Sequence, residues 1–312
     1  MSHAISTTGL SHEQWLKARQ YGIGGSDVAA ILGLNPWKTA LDVYLEKIDP
    51  EPKDLPMNAK MKAGKMLENT IADWFAEESG ETIHKDHKIR IHKNFKHLIG
   101  NVDRVIISGN GKGTGILEVK STSNYMIKMF EKNDWPLPPY WYAQLQHYLN
   151  VTGYTWGVIA YLVDGYDFRQ HQFEADQEFI RNMTEKCNEF WHGHVEPRIP
   201  PEPQNEKDVM TLFPESVTDS QVEAEEGVYN IYMELAEAIE KEKMFKLQKE
   251  KLQEQLKLVI QDKERLTYHG DTLITWKSST SNRVDSKKLQ KLYPDIYQEV
   301  TKQQTIRRFL VK

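Results

Sequence analysis

Apolar positions recur along this chain with two different periods, and the change of period marks out its elements. Leu67, Ile71, Trp74 and Phe75 are spaced three and four apart, which predicts a helix that buries one face against a sheet. From Val102 to Ser108 and again from Thr114 to Ser121 the residues are β-prone, and Gly109-Asn110-Gly111-Lys112-Gly113 between them predicts a hairpin turn. The run Val28–Leu32 predicts a short helix with Ser26 as N-cap and Gly33 as C-cap. After Pro138-Pro139, the stretch Tyr140–Tyr148 predicts an aromatic-rich helix. Four prolines, Pro197, Pro200, Pro201 and Pro203, predict an extended linker, since proline blocks both helix and central strand.

Beyond the linker the period changes again. From Val228 to Leu266 a heptad series has nine apolar residues in twelve a and d positions, with neither Pro nor Gly to interrupt it. A helix of roughly 60 Å is expected. It can be a coiled-coil arm for self-association or partner docking, or an antiparallel helix-turn-helix spacer. A hairpin-like run, Thr272–Trp276, follows the turn His269-Gly270-Asp271, and the chain ends in Arg307-Arg308 beside the strand-like run Phe309-Leu310-Val311. That basic patch can contact phosphates, or protect a strand edge with charge.

Composition narrows the class. With 312 residues there is room for one large domain or two ordinary ones. No stretch of 18 apolar residues and no basic-then-apolar leader is present, so neither a spanning helix nor a secretion signal is expected. The single cysteine, Cys187, excludes a disulfide framework and a zinc ribbon and fits a reducing cytoplasm. Residues 1–200 carry 22 Lys+Arg against 25 Asp+Glu, a net of -3; residues 201–265 carry 9 against 16, a net of -7; residues 266–312 carry 9 against 4, a net of +5. A small basic module thus follows an acidic stretch.

The candidate chemistry lies in the hairpin. Folding the chain about residue 111 sets Asp103 opposite the Glu118-Val119-Lys120 stretch, and Glu118 and Lys120 share a face because they are two apart on a strand. Two neighbouring carboxylates repel, and a hard divalent cation relieves that repulsion. An adjacent lysine can then orient or activate water, or stabilise a phosphorane-like transition state. Glu68, next to the apolar stripe of its helix, is either an exposed acid or a third carboxylate. Gln144, among aromatics that otherwise read as core, is a candidate to hold a nucleophilic water or a phosphate. Gly24-Gly25-Ser26 opens a helix whose free N–H groups suit a phosphate, with Arg19 as added charge; such a turn can equally be only a cap.

The ordered set Trp15-x-x-x-Arg19, Gly25-Ser26-Asp27, Gly64-Lys65-x-x-Glu68, Asp103, Glu118-Val119-Lys120 and Gln144-x-x-x-Tyr148 resembles the YqaJ-type viral recombinase nucleases over about residues 10–200. These are similar to phage lambda exonuclease and belong to the PD-(D/E)XK superfamily. One departure is that Asn101-Val102, rather than a proline, precedes the first Asp. The resemblance implies an α/β core with a central mixed sheet flanked by helices over 1–200. A linker over 201–221, a helical coiled-coil arm over 222–266 and a small basic module over 267–312 are expected to follow. It further implies that Asp103, Glu118 and the Val119 carbonyl ligate Mg²⁺ or Mn²⁺, with Glu68 serving a second ion. Lys120 and Gln144 would handle the attacking water, and Arg19 and Ser26 would bind the 5′-phosphate of the digested strand. Members of the family are metal-dependent exonucleases that digest the 5′-ended strand of duplex DNA and hand the 3′ strand to a single-strand annealing recombinase. A homo-oligomer, with a trimer among the options, is implied as well. A PD-(D/E)XK endonuclease or junction resolvase, and a non-catalytic DNA-binding or scaffold module, are the competing readings.

Overall fold

The structure, a computed structural model, describes residues 3–52, 57–109, 111–131, 136–302 and 306–311. The chain forms two compact units, Met1–Leu212 and Phe213–Lys312. In the first, chain order runs β1 (His3–Ser6), α1 (His12–Gln20), α2 (Gly25–Ile31), α3 (Ala40–Ile48), α4 (Ala59–Ser79), β2 (Thr82–Lys85), β3 (Lys88–Ile91) and β4 (Ile99–Gly100). Then come β5 (Arg104–Ile107), β6 (Thr114–Thr122), α5 (Asn124–Glu131), α6 (Pro139–Thr152), β7 (Trp156–Val163), β8 (Asp167–Glu174), α7 (Gln177–Phe190), a π-helical turn over Trp191–Val195, and α8 (Glu206–Leu212).

A five-stranded mixed sheet of order β2-β5-β6-β7-β8 forms the centre. Its β6–β7 pair is parallel and its other pairs are antiparallel. All eight residues of β7 are buried, as expected of a central strand covered on both faces. Helix α4 covers one face, packing Ile71, Ala72 and Phe75 against Leu117, Val119 and Ala160. Helix α6 covers the other, packing Trp141, Leu145 and Tyr148 against Ile116, Ile159 and Tyr161. Strand alternation therefore turns Leu117 and Val119 toward α4, and Glu118 and Lys120 toward α6. The hairpin register pairs Arg104 with Leu117 and Ile107 with Thr114, one residue off the pairing that a fold about residue 111 gives, and Asp103 still falls against the Glu118–Lys120 stretch. Asn110, part of the turn predicted from sequence, lies outside the described residues.

Local chemistry sets the helix ends. Asn58 caps α4 by accepting from the Met61 N–H, and Gly80 closes it at φ 69°, a left-handed conformation that glycine adopts without strain. Pro139 opens α6, where its missing N–H costs nothing. One expectation is corrected here. The cap of α2 is Gly24 rather than Ser26, because the buried Asp27 carboxylate accepts the Gly24 N–H at 3.0 Å and starts the helix earlier. Ser26 is thereby left as an exposed residue of the first turn. Leu32 is the C-cap, and Gly33, at φ 70°, follows it.

Within 201–221, expected to be a linker, α8 forms, and its buried Asp208 accepts from the Thr39 hydroxyl at 3.0 Å. The second unit contains α9 (Glu226–Ile260), the hairpin β9 (Arg265–Tyr268) and β10 (Asp271–Thr275), α10 (Ser286–Leu292) and α11 (Pro294–Val300). The long helix is shorter than the heptad predicts. It stops at Gln261, whose φ of 52° breaks the helical path, and Leu266 pairs with Ile274 in the hairpin instead. The run Phe309-Leu310-Val311, expected to be strand-like, has no regular structure; Arg307 donates to the Phe213 carbonyl at 2.8 Å. Among the described residues no helix is long and apolar enough to cross a membrane.

Candidate active site

The hairpin end gathers three of the predicted residues. Asp103 lies just before β5 and accepts the Val119 N–H at 2.9 Å, which fixes its carboxylate against β6. Glu118 projects from β6 beneath α6, and its Oε1 receives Lys120 Nζ at 2.6 Å and Gln144 Nε2 at 2.6 Å. Lys120 also donates to Gln144 Oε1 at 3.0 Å, and Gln144 donates to the Tyr148 hydroxyl at 3.1 Å. These bonds orient the Gln144 amide, with its oxygen toward the lysine and its nitrogen toward the carboxylate.

The electrostatics follow from burial. Desolvation, together with the Asp103 charge, pushes the Glu118 carboxyl up to about 8. Asp103 is raised as well, by burial first, with Glu68 adding to it against the pull of Lys120 and the Val119 N–H. Burial alone would lower Lys120, but the charges of Glu118 and Asp103 outweigh it, and the ammonium titrates above its ordinary value. The lysine is therefore a held cation and donor.

Two carboxylates strained toward protonation are what a divalent cation would relieve. Glu118 Oε2 is buried without a hydrogen-bond partner among the described residues, an orphaned acceptor that a cation would satisfy. Asp103, Glu118 and the Val119 carbonyl are all hard oxygen donors, and one or two carboxylates with water suit Mg²⁺. The residues fit such an ion. Among the described residues, no three His, Cys, Asp or Glu side chains converge as a metal cluster. Glu68 shows why. Its Oε1 is bound by Arg104 Nη1 at 2.8 Å, with Lys85 at 3.8 Å, and Arg104 also grips Asn69 at 2.6 Å.

Arg19 and Ser26 come together as a second locus. The guanidinium donates to the exposed Ser26 hydroxyl at 3.2 Å and lies 4.9 Å from the Trp15 ring centroid. Beneath them, the Asp27 carboxylate is enclosed by Lys47 at 2.7 Å and Lys38 at 2.9 Å. Burial would raise that carboxyl, but Lys47, Lys38 and Arg19 hold it well below the usual carboxylate range. Lys47 also donates to the Arg19 carbonyl at 3.1 Å, tying the end of α1 to the start of α2. The two loci meet through Gly25, where a Cβ would lie 2.6 Å from the Tyr148 ring and 2.9 Å from Gln144 Cγ. All eight predicted site residues are thus placed: Asp103, Glu118, Val119, Lys120 and Gln144 in one network, Arg19 and Ser26 beside it, and Glu68 on Arg104.

Sequence reasoning gave no role to Asp27, Lys38, Lys47 or Arg104. Arg104 adjoins Asp103, and Asp27 adjoins Ser26, so adjacency was a usable signal for these two. Lys38 and Lys47 reach the site only through the packing of α3 and the loop before it, which no local spacing records.

A family profile described as the YqaJ-like viral recombinase domain matches residues 14–155. The protein YqaJ of Bacillus subtilis (strain 168) is 31% identical over 312 residues, covering 97% of this chain and 95% of that protein. Among solved structures, an alkaline exonuclease (LHK-Exo) from Laribacter hongkongensis superposes with a TM-score of 0.50 at 20% identity, covering 60% of this chain and 94% of that one. LHK-Exo in complex with dAMP gives 0.51 over the same shares. The likeness to LHK-Exo is one of fold.

Proposed function

The chain belongs to the YqaJ-like viral recombinase family, and from that premise we propose that it is a metal-dependent exonuclease that digests the 5′-ended strand of duplex DNA and leaves a 3′ single strand. The observation that carries this reading is the contact at Gly25. It joins a Lys120–Glu118–Gln144 network, suited to hydrolysis, to an Arg19–Ser26 pair suited to a terminal phosphate. A 5′-phosphate pocket has a use only in an enzyme that starts at ends, which favours an exonuclease over an endonuclease or resolvase. The fold is in keeping with this, since the alkaline exonuclease that shares it was crystallised with dAMP, a nucleotide monophosphate of the kind an exonuclease releases.

Asp103, Glu118 and the Val119 carbonyl would hold Mg²⁺, or Mn²⁺, which accepts the same oxygen ligands. Glu68 would serve a second ion only on leaving Arg104. Bound there, such ions supply positive charge to the phosphate oxygens and lower the pKa of water. The protein's own part is orientation and charge. Lys120 stays an ammonium, so it donates a hydrogen bond to the attacking water and faces the developing negative charge on phosphorus-bound oxygens. Gln144, fixed by Glu118, Lys120 and Tyr148, would hold that water in line. Arg19 and Ser26 would grip the 5′-phosphate, with Lys47 and Asp27 setting the position of the Arg19 backbone. The product strand suits a single-strand annealing recombinase, the partner class expected of the family, and a homo-oligomer would keep the enzyme on its track.

The test is polarity. A linear duplex is labelled at the 5′ end of one strand or at the 3′ end, and digested with Mg²⁺. Early release of the 5′ label as mononucleotide, with the 3′ label retained in single-stranded DNA, is expected. Early release of the 3′ label would overturn the reading.

A further inference from the structure

Helix α9 leaves its seam uncovered. All ten a and d positions from Val228 to Val259 are exposed, and eight of the ten are apolar. Phe245 and Val259 are each 68% exposed. The neighbouring hairpin reaches the helix elsewhere, where Lys257 lies over the Trp276 ring, off the seam. An apolar stripe of this length in water marks an interaction surface.

Charge along the helix selects the occupant. Residues 226–243 hold five Glu and two Lys, a net of -3, and residues 244–260 hold four Lys and two Glu, a net of +2. A second copy laid antiparallel sets the acidic half of each helix on the basic half of the other; a parallel copy sets like on like. The two polar seam residues agree. In a parallel, in-register pair Glu242 would meet Glu242 and Lys249 would meet Lys249 inside the seam, which is costly. Antiparallel pairing brings each a position opposite a d position. With Val228 opposite Val259 of the second copy, every seam position is matched and the two helices overlap over almost their full length. Ala238 then faces Lys249 of the second copy and leaves room for its stem. The ammonium reaches toward Glu242, one turn or about 6 Å away.

We propose that α9 is a dimerisation arm that pairs antiparallel with α9 of a second copy of this chain, in a two-fold symmetric seam centred between Glu242 and Phe245. This goes beyond the nuclease reading and does not depend on it.

Site-directed cross-linking of the full-length protein tests it. Cys187 is buried, so cysteines introduced at exposed seam positions are the reactive ones. Val228→Cys, Val259→Cys and the double variant are treated with a short bis-maleimide and resolved under denaturing conditions. Positions 228 and 259 lie about 46 Å apart within one helix, so a short link between them must join two copies. The double variant should become a covalent dimer, while each single variant remains monomeric. Mixing the two single variants should restore the dimer. Adding Leu235→Asp and Leu252→Asp to the double variant should abolish the product. Self-linking of either single variant would mean a parallel pair. No link in the double variant, or a link that survives the aspartates, would equally overturn the proposal.

Discussion

Gly25 stands against Tyr148 with no space for a side chain, since a Cβ there would lie 2.6 Å from the tyrosine ring. This contact presses α2, which carries Ser26, onto α6, which carries Gln144. Gly25→Ala must push the helices apart. A loss of about 1–3 kcal/mol in stability is expected, with a drop of at least roughly tenfold in rate on 5′-phosphorylated duplex from misplaced groups. Thermal melts and initial rates check it; a variant that melts and cuts like the wild type would show that the two loci are not coupled here.

Asp103→Asn and Lys120→Ala should each lower cleavage by at least about a hundredfold. The fold should survive both. Asparagine keeps an oxygen for the Val119 N–H. With the ammonium gone, Glu118, already pushed up to about 8, can hold a proton in its place. Circular dichroism should match the wild type. Full activity in either variant would sink the site assignment.

Divalent cations should stabilise the protein through the same carboxylates. At a concentration of about a hundred times Kd, Mg²⁺ is expected to add about 2.7 kcal/mol, seen as a rise of a few degrees in Tm. Glu118→Gln should abolish most of that rise, because it removes the charge on the orphaned oxygen. An equal rise in wild type and variant would place the ion elsewhere.

His147 gives a pH dependence separate from catalysis. It is fully buried in α6, its Nε2 lies 2.8 Å from the Ile99 carbonyl oxygen, and burial drives its pKa down to about 4. The unfolded chain titrates near 6.5. A depressed histidine favours folding in its neutral form. That contribution is complete above about pH 6.5 and is lost as pH falls toward 4, by about 3 kcal/mol in all. Between pH 7 and 5 the wild type should therefore lose about 2 kcal/mol more than His147→Gln in urea unfolding. Parallel pH curves for the two proteins would contradict this.

The parts of the site that could be read from sequence are those fixed by short-range geometry. A glycine turn flanked by β-prone runs sets the register to within one residue, so counting brings Asp103 opposite the Glu118–Lys120 stretch. The spacing of Leu67, Ile71 and Phe75 likewise placed α4 on the sheet. What was hidden depends on packing between distant segments. Lys47 reaches Asp27 from a helix twenty residues away, and Glu68, near the stripe as expected, is drawn to Arg104 by an ion pair no periodicity records. The heptad runs on to Leu266 because a hairpin residue happens to fall in phase. The cap of α2 moved because a buried carboxylate outcompeted a serine for the role.

The most direct measurement is digestion of linear duplex with Mg²⁺, comparing 5′-phosphorylated and 5′-hydroxyl ends with a closed circle, for the wild type and for Arg19→Ala. A charge-assisted contact to the phosphate is worth about 1.5–3 kcal/mol, or roughly ten- to hundredfold. The wild type should prefer the phosphorylated end by about that factor and spare the circle, and Arg19→Ala should lose the preference while still cutting. Cleavage of the circle, or a preference that survives in Arg19→Ala, would contradict an end-dependent exonuclease that reads the 5′-phosphate through this pocket.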